Sequence, residues 1–151
     1  MRIALFQPDI PQNTGTILRL AACMAVGVDI IEPCGFVFGD KRMRRAGMDY
    51  LEGVDLTRHE SWQAFQKTST EAGRRIVLLT TRSDRLYTDF AFETNDVLLL
   101  GRESAGVPED VHRAADAQLT IPMAEGMRSI NVAISAALVL GEALRQTKTF
   151  P

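Results

Sequence analysis

The chain has 151 residues, 46% of them hydrophobic and 24% charged, with a formal net charge of −2; that is the profile of one soluble globular domain with a full core. No run of about 18 apolar residues marks a membrane span, and the two cysteines, Cys23 and Cys34, are too few for a disulfide framework or a metal site. A weakly acidic total gives no global reason for a nucleic-acid partner, so any such partner has to be met by a local patch.

Arg2–Phe6 (RIALF) predicts a short strand, and Gln7–Gly15 (QPDIPQNTG) a loop dense in turn formers. The apolar start is broken by Gln7, Pro8, Asp9 and Pro11, so it is not a signal peptide. Reduced, structural cysteines then point to a cytoplasmic protein. Thr16–Val26 carries Ile17, Leu20, Ala21, Met24 and Ala25 at helical spacing, with Gly27 as its stop, and Val28–Glu32 predicts a second strand. Strand, loop, helix and strand in about thirty residues make a parallel crossover unit.

Pro33–Gly39 reads as a loop. Asp40–Gly47 (DKRMRRAG) then sets Lys41, Arg42, Arg44 and Arg45 close together. A short strand is expected within residues 49–56. Ser61–Ala72 predicts an amphipathic helix with Trp62, Phe65 and Thr68 or Ser69 facing inward, ended by Gly73. Ile76–Thr80 and Val97–Leu100 are continuous apolar runs suited to strands covered on both faces, and Pro108–Ala115 reads as a short helix opening on proline. Leu119–Met123 predicts a strand leaving its sheet at Pro122. After the loop Ala124–Arg128, Ser129 stands where a helix N-cap belongs, ahead of an apolar helix from Ile130 to Arg145. That helix lacks a polar face, so it is expected to be covered on most sides. Together these elements predict a single α/β domain, residues 1–151, on a parallel sheet.

Three chemistry-bearing stretches leave the carboxyl ends of predicted strands, where open α/β sheets bind ligands. Asn13-Thr14-Gly15-Thr16-Ile17-Leu18-Arg19 would place an arginine one turn into a helix, aimed at an anion. Leu100-Gly101-Arg102-Glu103-Ser104-Ala105-Gly106-Val107-Pro108 offers two glycines that let backbone approach a ligand. Arg128-Ser129-Ile130-Asn131 meets a helix N-terminus. The basic patch at 41–45 is a fourth candidate, for phosphate. No G-x-G-x-x-G follows the first strand, which argues against a dinucleotide bound in the usual way. His59 and His112, in polar sequence surroundings, support neither a nucleophile–histidine arrangement nor a metal site.

N-T-G-T-I-L-R, L-G-R-E-S-A-G-V-P and I-P-M-x(4)-R-S-I-N-V-A, in that order and across nearly the whole chain, resemble the three motifs of the SPOUT (SpoU-type) RNA 2′-O-methyltransferases. The short length and the stretch IIEPCGFVFGDKRMRRAGMDY resemble the branch acting on the wobble nucleotide, cytidine or uridine, of leucine tRNAs. The resemblance implies an α/β fold with a C-terminal trefoil knot, a rare exception to unknotted topology, and a homodimer whose knotted region binds S-adenosylmethionine without metal or membrane. It implies cofactor positions at Leu79, Gly101, Glu103, Ile121 and Ser129. Arg19, Ser129 and Asn131 would be catalytic, Arg19 by orienting a phosphate or activating the 2′-hydroxyl, while Glu103, Arg128 and Asn131 would shape the transfer pocket. Lys41, Arg42, Arg44, Arg45 and Arg128, with Arg58 nearby, would hold the backbone of the tRNA anticodon stem-loop. Where members of that branch carry a tyrosine in the last helix, this chain has Gly141, which bears on substrate preference or interface packing. The competing readings are a ribosomal RNA ribose 2′-O-methyltransferase and a non-catalytic RNA-binding protein of the same fold.

Overall fold

Arg2–Phe6 (β1), Gly27–Ile31 (β2), Ile76–Leu79 (β4) and Val97–Leu100 (β5) are almost wholly buried along their length. Strands of continuous apolar residues behave so when both faces are covered. The computed structural model describes residues 1–47, 50 and 53–151. Leu56–His59 (β3) and Ala117–Leu119 (β6) complete a six-stranded sheet in the order β3-β2-β1-β5-β4-β6, and every ladder in it is parallel. The chain builds outward from β1 through β2 to β3. It then crosses to the other side of β1 for the remaining strands. The order reverses between β1 and β5, so the connections leaving their carboxyl ends diverge and open a crevice.

Helices Pro11–Cys23 (α1), Lys41–Gly47 (α2), Trp62–Glu71 (α3), Glu109–Ala114 (α4) and Val132–Thr147 (α5) cover the sheet. Side chains of β1 alternate between its faces. Ile3 and Leu5 join Ile17, Leu18, Val139, Leu140 and Leu144 on the α1/α5 side, while Ala4 and Phe6 join Trp62, Phe65, Leu99 and Val111 on the α3/α4 side. The amino ends of the strands are closed by charge. Arg2 Nε donates to Asp29 Oδ2 at 2.6 Å and Arg2 also pairs with Asp55. Arg75 pairs with the fully buried Asp96 at 2.7 Å and with Glu93 at 2.8 Å.

Several expectations are corrected. Helix α1 begins at Pro11, not Thr16, because proline is a good first helical residue and the following turn formers serve packing. A Cβ at Gly15 would lie 2.3 Å from the Met43 carbonyl oxygen, so glycine lets α1 and α2 touch backbone to backbone. Gly27 opens β2 instead of stopping the helix, which ends at Cys23 before Ala25 turns with φ +51°. The strand expected within 49–56 falls partly outside the described residues; β3 starts at Leu56 and residues 53–55 are not in a strand. Strand β6 ends at Leu119, with Thr120 making only a bridge to Leu86. The cap of α5 is Asn131, not Ser129: its side chain accepts from the N–H groups of Ala133 at 2.8 Å and Ile134 at 3.3 Å.

Both histidines are buried instead of polar-surrounded. His59 Nε2 meets Asp29 Oδ1 at 2.8 Å, and its ring stands edge-on to Phe65. Within the chain, α5 is covered on one side only. Ala136, Val139, Leu140, Ala143 and Leu144 are buried, whereas Ile134 is 54% and Leu138 43% exposed. A Cβ at Gly141 would meet nothing within 4 Å. Helix α3 is as predicted, with Ser61 capping Ala64 N–H and Ser69 the inward-facing hydroxyl.

Candidate active site

The connections after β1, β4, β5 and β6 and the start of α5 enclose a cavity of about 560 Å³, a volume suited to a small molecule. Its floor is apolar: Leu78 and Leu79 from β4, Leu100 from β5, Leu119 from β6, and Ile121 just beyond it. Its rim is polar, with Glu103, Ser129, Asn131, Ser135 and Asn13. Gly101 and Gly106 shape one wall. The N–H and C=O groups of Arg102 and Gly106 bond to each other at 3.0 and 2.9 Å, and a Cβ on Gly101 would come within 2.6 Å of the Gly106 carbonyl carbon. Gly106 itself has φ +67°, a conformation that glycine adopts without strain. At these two glycines the loop presents backbone to the cavity, while Glu103 adds its side chain to the rim.

A chain of hydrogen bonds stitches the rim together. Asn131 Nδ2 donates to Asn13 Oδ1 at 2.9 Å, and Asn13 Nδ2 donates to Glu103 Oε1 at 3.0 Å. Asp9 N–H donates to Glu103 Oε2 at 3.2 Å, and the Ser104 hydroxyl donates to Asp9 Oδ2. Arg102 donates to the Gln7 side-chain oxygen, and Gln7 carries φ +44°, a strained conformation for a side-chain-bearing residue. Burial, and then the nearby Asp9 carboxyl, push Glu103 above the ordinary glutamate range. Asp9 is held below its own range by the hydrogen bond from Glu103, against the cost of burial, with Ser104 adding to it.

Leu79, Gly101, Glu103, Ile121, Ser129 and Asn131 all line the cavity. Arg19 does not. It lies further along α1, about two turns from the helix start, exposed on the surface with its guanidinium 5.2 Å from the centre of the Tyr50 ring. Lys41, Arg42, Arg44 and Arg45 are exposed on α2, which Asp40 caps by accepting from Met43 N–H at 2.8 Å; Arg128 is exposed in the loop before α5. Arg58 is committed to Glu32 and lies over the Phe38 ring at 4.7 Å. Sequence reasoning missed Asp9, Gln7, Arg102 and His112. The first two sat in a stretch dominated by turn signals, and His112 was hidden by charged neighbours. Burial pushes the Cys34 thiol up to about 12, with Glu32 adding to it. Among the described residues no group of three or more His, Cys, Asp or Glu side chains is placed to hold a metal, and no helix is long and apolar enough to cross a membrane.

Residues 1–141 match the SpoU rRNA methylase family, a span that contains every residue lining the cavity. The chain belongs to the SpoU methylase family. Among curated SpoU relatives, a protein of Beijerinckia indica is 60% identical over 144 residues, covering 95% of this chain and 90% of its own. One from Escherichia coli K12 is 38% identical over 148 residues, covering 97% and 93%. Each is named a tRNA (cytidine(34)-2′-O)-methyltransferase. A solved structure described by "Structural insights into the 2-OH methylation of C/U34 on tRNA" superposes with a TM-score of 0.91 at 36% identity, covering 96% of this chain and 94% of that one. An rRNA methyltransferase of Sinorhizobium meliloti, solved with AdoMet bound, superposes with a TM-score of 0.88 at 29% identity over 95% of this chain and 55% of its own. The cavity's own chemistry fits such a group, with an apolar floor for a flat heterocycle, exposed loop backbone, and a polar rim for a charged amino-acid tail.

Proposed function

We propose that this chain transfers a methyl group from S-adenosylmethionine to the ribose 2′-hydroxyl of the wobble nucleotide, C or U, of leucine tRNAs. The observation that carries the reading is the convergence of Leu79, Gly101, Glu103, Ile121, Ser129 and Asn131, from the ends of three strands, on one cavity at the carboxyl edge of β5, β4 and β6. Curated relatives of 38–60% identity, named tRNA (cytidine(34)-2′-O)-methyltransferases, support the reaction and the position.

S-adenosylmethionine supplies a methyl group already activated on a sulfonium sulfur, so the protein's task is alignment and help with proton loss. Leu79, Gly101, Ile121 and Ser129 hold the cofactor, chiefly through backbone groups, with Glu103 beside them. Ser129 and Asn131 orient the incoming 2′-hydroxyl. Asn131 is suited to that role because its side chain is fixed between the α5 N–H groups and Asn13. Arg19, outside the cavity, meets the RNA by steering a phosphate next to the target ribose. Lys41, Arg42, Arg44 and Arg45 on α2, with Arg128, grip the anticodon stem-loop backbone and locally offset the acidic total.

The same reading includes a cytoplasmic homodimer and the C-terminal knot. In its support, Met127, Ile130, Ile134 and Leu138 leave an exposed apolar stripe from the cavity mouth along α5, the kind of patch that another protein surface covers. Thr120 is tied to the loop after β4 through Arg85 C=O at 2.8 Å and Tyr87 N–H at 3.0 Å.

The test is methyl transfer from labelled S-adenosylmethionine to bulk tRNA from a strain lacking this protein, with nuclease mapping. Label on the 2′-oxygen of position 34 of leucine tRNAs is the expected result. Label confined to ribosomal RNA overturns the substrate, and absence of cofactor binding overturns the enzyme in favour of a non-catalytic RNA-binding protein.

A further inference from the structure

Two side chains at the site keep a buried polar atom without a partner among the described residues: His112, at Nε2 in the cavity wall, and Asp9. Asp9 Oδ1 is shut off from solvent and has no hydrogen-bond donor among the described residues, a costly state for a carboxylate oxygen. Oδ2 takes the Ser104 hydroxyl, and the Asp9 backbone N–H donates to Glu103 Oε2 at 3.2 Å, which brings the two acidic residues together. Gly35 closes the other side. Its N–H donates to Pro8 C=O at 2.9 Å, and a Cβ there would sit 2.8 Å from Asp9 Cβ. Glu103 Oε1 is taken by Asn13, so its Oε2 end faces Asp9. Two carboxylates this close resist ionising together. A proton carried by Glu103 supplies the donor that Asp9 Oδ1 lacks.

We propose that Asp9 is a positioning residue for the transfer site: the Asp9 and Glu103 carboxyls share one proton, and that proton holds Glu103 against Asn13 at the cavity wall. Through Asn13 the hold extends to Asn131 and the cap of α5. The other titratable groups facing this region have their own places. Arg102, on the same loop, donates to Gln7; Arg82, from the loop after β4, pairs with Glu109 at 2.7 Å; His112, from α4, is buried in the cavity wall; and Arg19, on α1, lies over Tyr50. Loss of the shared proton sets two negative charges side by side and drives Glu103 off Asn13. The effect on catalysis rests on the methyl-transfer reading, whereas the shared proton is a property of the free protein.

The experiment is a carbon-detected NMR titration of side-chain carboxyls in the free protein and in Asp9→Asn and Asp9→Glu, alongside the pH profile of methyl transfer. Glu103 is expected to titrate above the ordinary glutamate range. In Asp9→Asn its transition falls by about one pH unit, a tenfold change in proton affinity, and the transfer profile loses the alkaline fall that the paired charges impose. Asp9→Glu keeps a second carboxyl to share the proton and restores both. A Glu103 transition unmoved in Asp9→Asn overturns the proposal. So does a transition that moves while the transfer profile stays put. A wild-type chain that transfers no methyl at any pH sinks the methyl-transfer reading, and the titration alone then decides whether the proton is shared.

Discussion

The two ends of the sheet are built on opposite rules. At the amino ends of the strands, charges are closed off in pairs: Arg2 against Asp29 and Asp55, Arg75 against Asp96 and Glu93. Asp116 completes that edge by accepting from Ile76 N–H at 2.7 Å. At the carboxyl ends the polar groups bond to one another in a chain, Asn131 to Asn13 to Glu103 to Asp9, and leave one buried oxygen over. One end is satisfied and serves stability. The other keeps unspent hydrogen-bonding capacity, strain at Gln7 and a cavity, which is what a site needs.

The difference can be broken from either side. The largest effect on stability is expected at the satisfied end. Arg75→Met leaves Asp96, fully buried, without its cation, and should cost about 3 kcal/mol in urea denaturation while cofactor affinity per folded molecule stays unchanged. Lost affinity there would mean that the two ends are coupled. Arg19→Ala is the mirror case. Its side chain is exposed over Tyr50, so stability should move by less than about 1 kcal/mol, yet methyl transfer should fall on the order of 10²-fold. Wild-type turnover in that variant removes Arg19 from the reaction.

Gly101→Ala tests the cavity wall, since its Cβ would drive into Gly106 backbone. About 1–3 kcal/mol of stability should go, and cofactor affinity by calorimetry should fall with it. Retained affinity would show that the loop yields without losing its grip. A smaller and purely electrostatic effect is expected from Arg42→Glu with Arg45→Glu. RNA binding should weaken and its salt slope shrink by about 2, with cofactor affinity untouched. If cofactor affinity falls equally, α2 is part of the scaffold.

The smallest effect concerns pH. Arg145, with Gln146, holds the half-buried Glu142 carboxyl down at about 2. A lowered carboxylate stabilises above its unfolded range and loses that contribution as pH falls towards its folded value. The midpoint of thermal unfolding should therefore drop slightly between about pH 4.5 and 2, and Glu142→Gln should flatten that part of the curve. Glu103 has the opposite sign, because a raised carboxyl favours the fold less as pH climbs through its own transition.

Much of this was legible in residue order because it depends on local patterning. RIALF, VLLL and the Ser61-capped helix came out with little or no boundary error, since continuous branched runs and a capping serine are local signals. The start of α1 was not legible, because the glycine at its second turn answers to Met43 in another helix. The cap of α5 was misplaced by two residues for a similar reason. Ser129 has the right side chain, but Asn131 can both cap the helix and reach Asn13, a bond between residues 118 positions apart. The motifs located the cavity-lining residues well, while Asp9 was lost among turn formers. Its importance lies in what surrounds it in space.

The contact between Gly15 and Met43 has one more consequence. With no side chain between them, α1 and α2 are clamped as a single piece, so Arg19 on one helix and the basic row on the other keep a fixed separation. On the proposed reading the pair works as a gauge: wherever the RNA backbone settles on α2, the distance to the ribose served by Arg19 is already chosen. Widening that joint with Gly15→Ala would change which nucleotide is measured out before it changed how tightly the RNA is held.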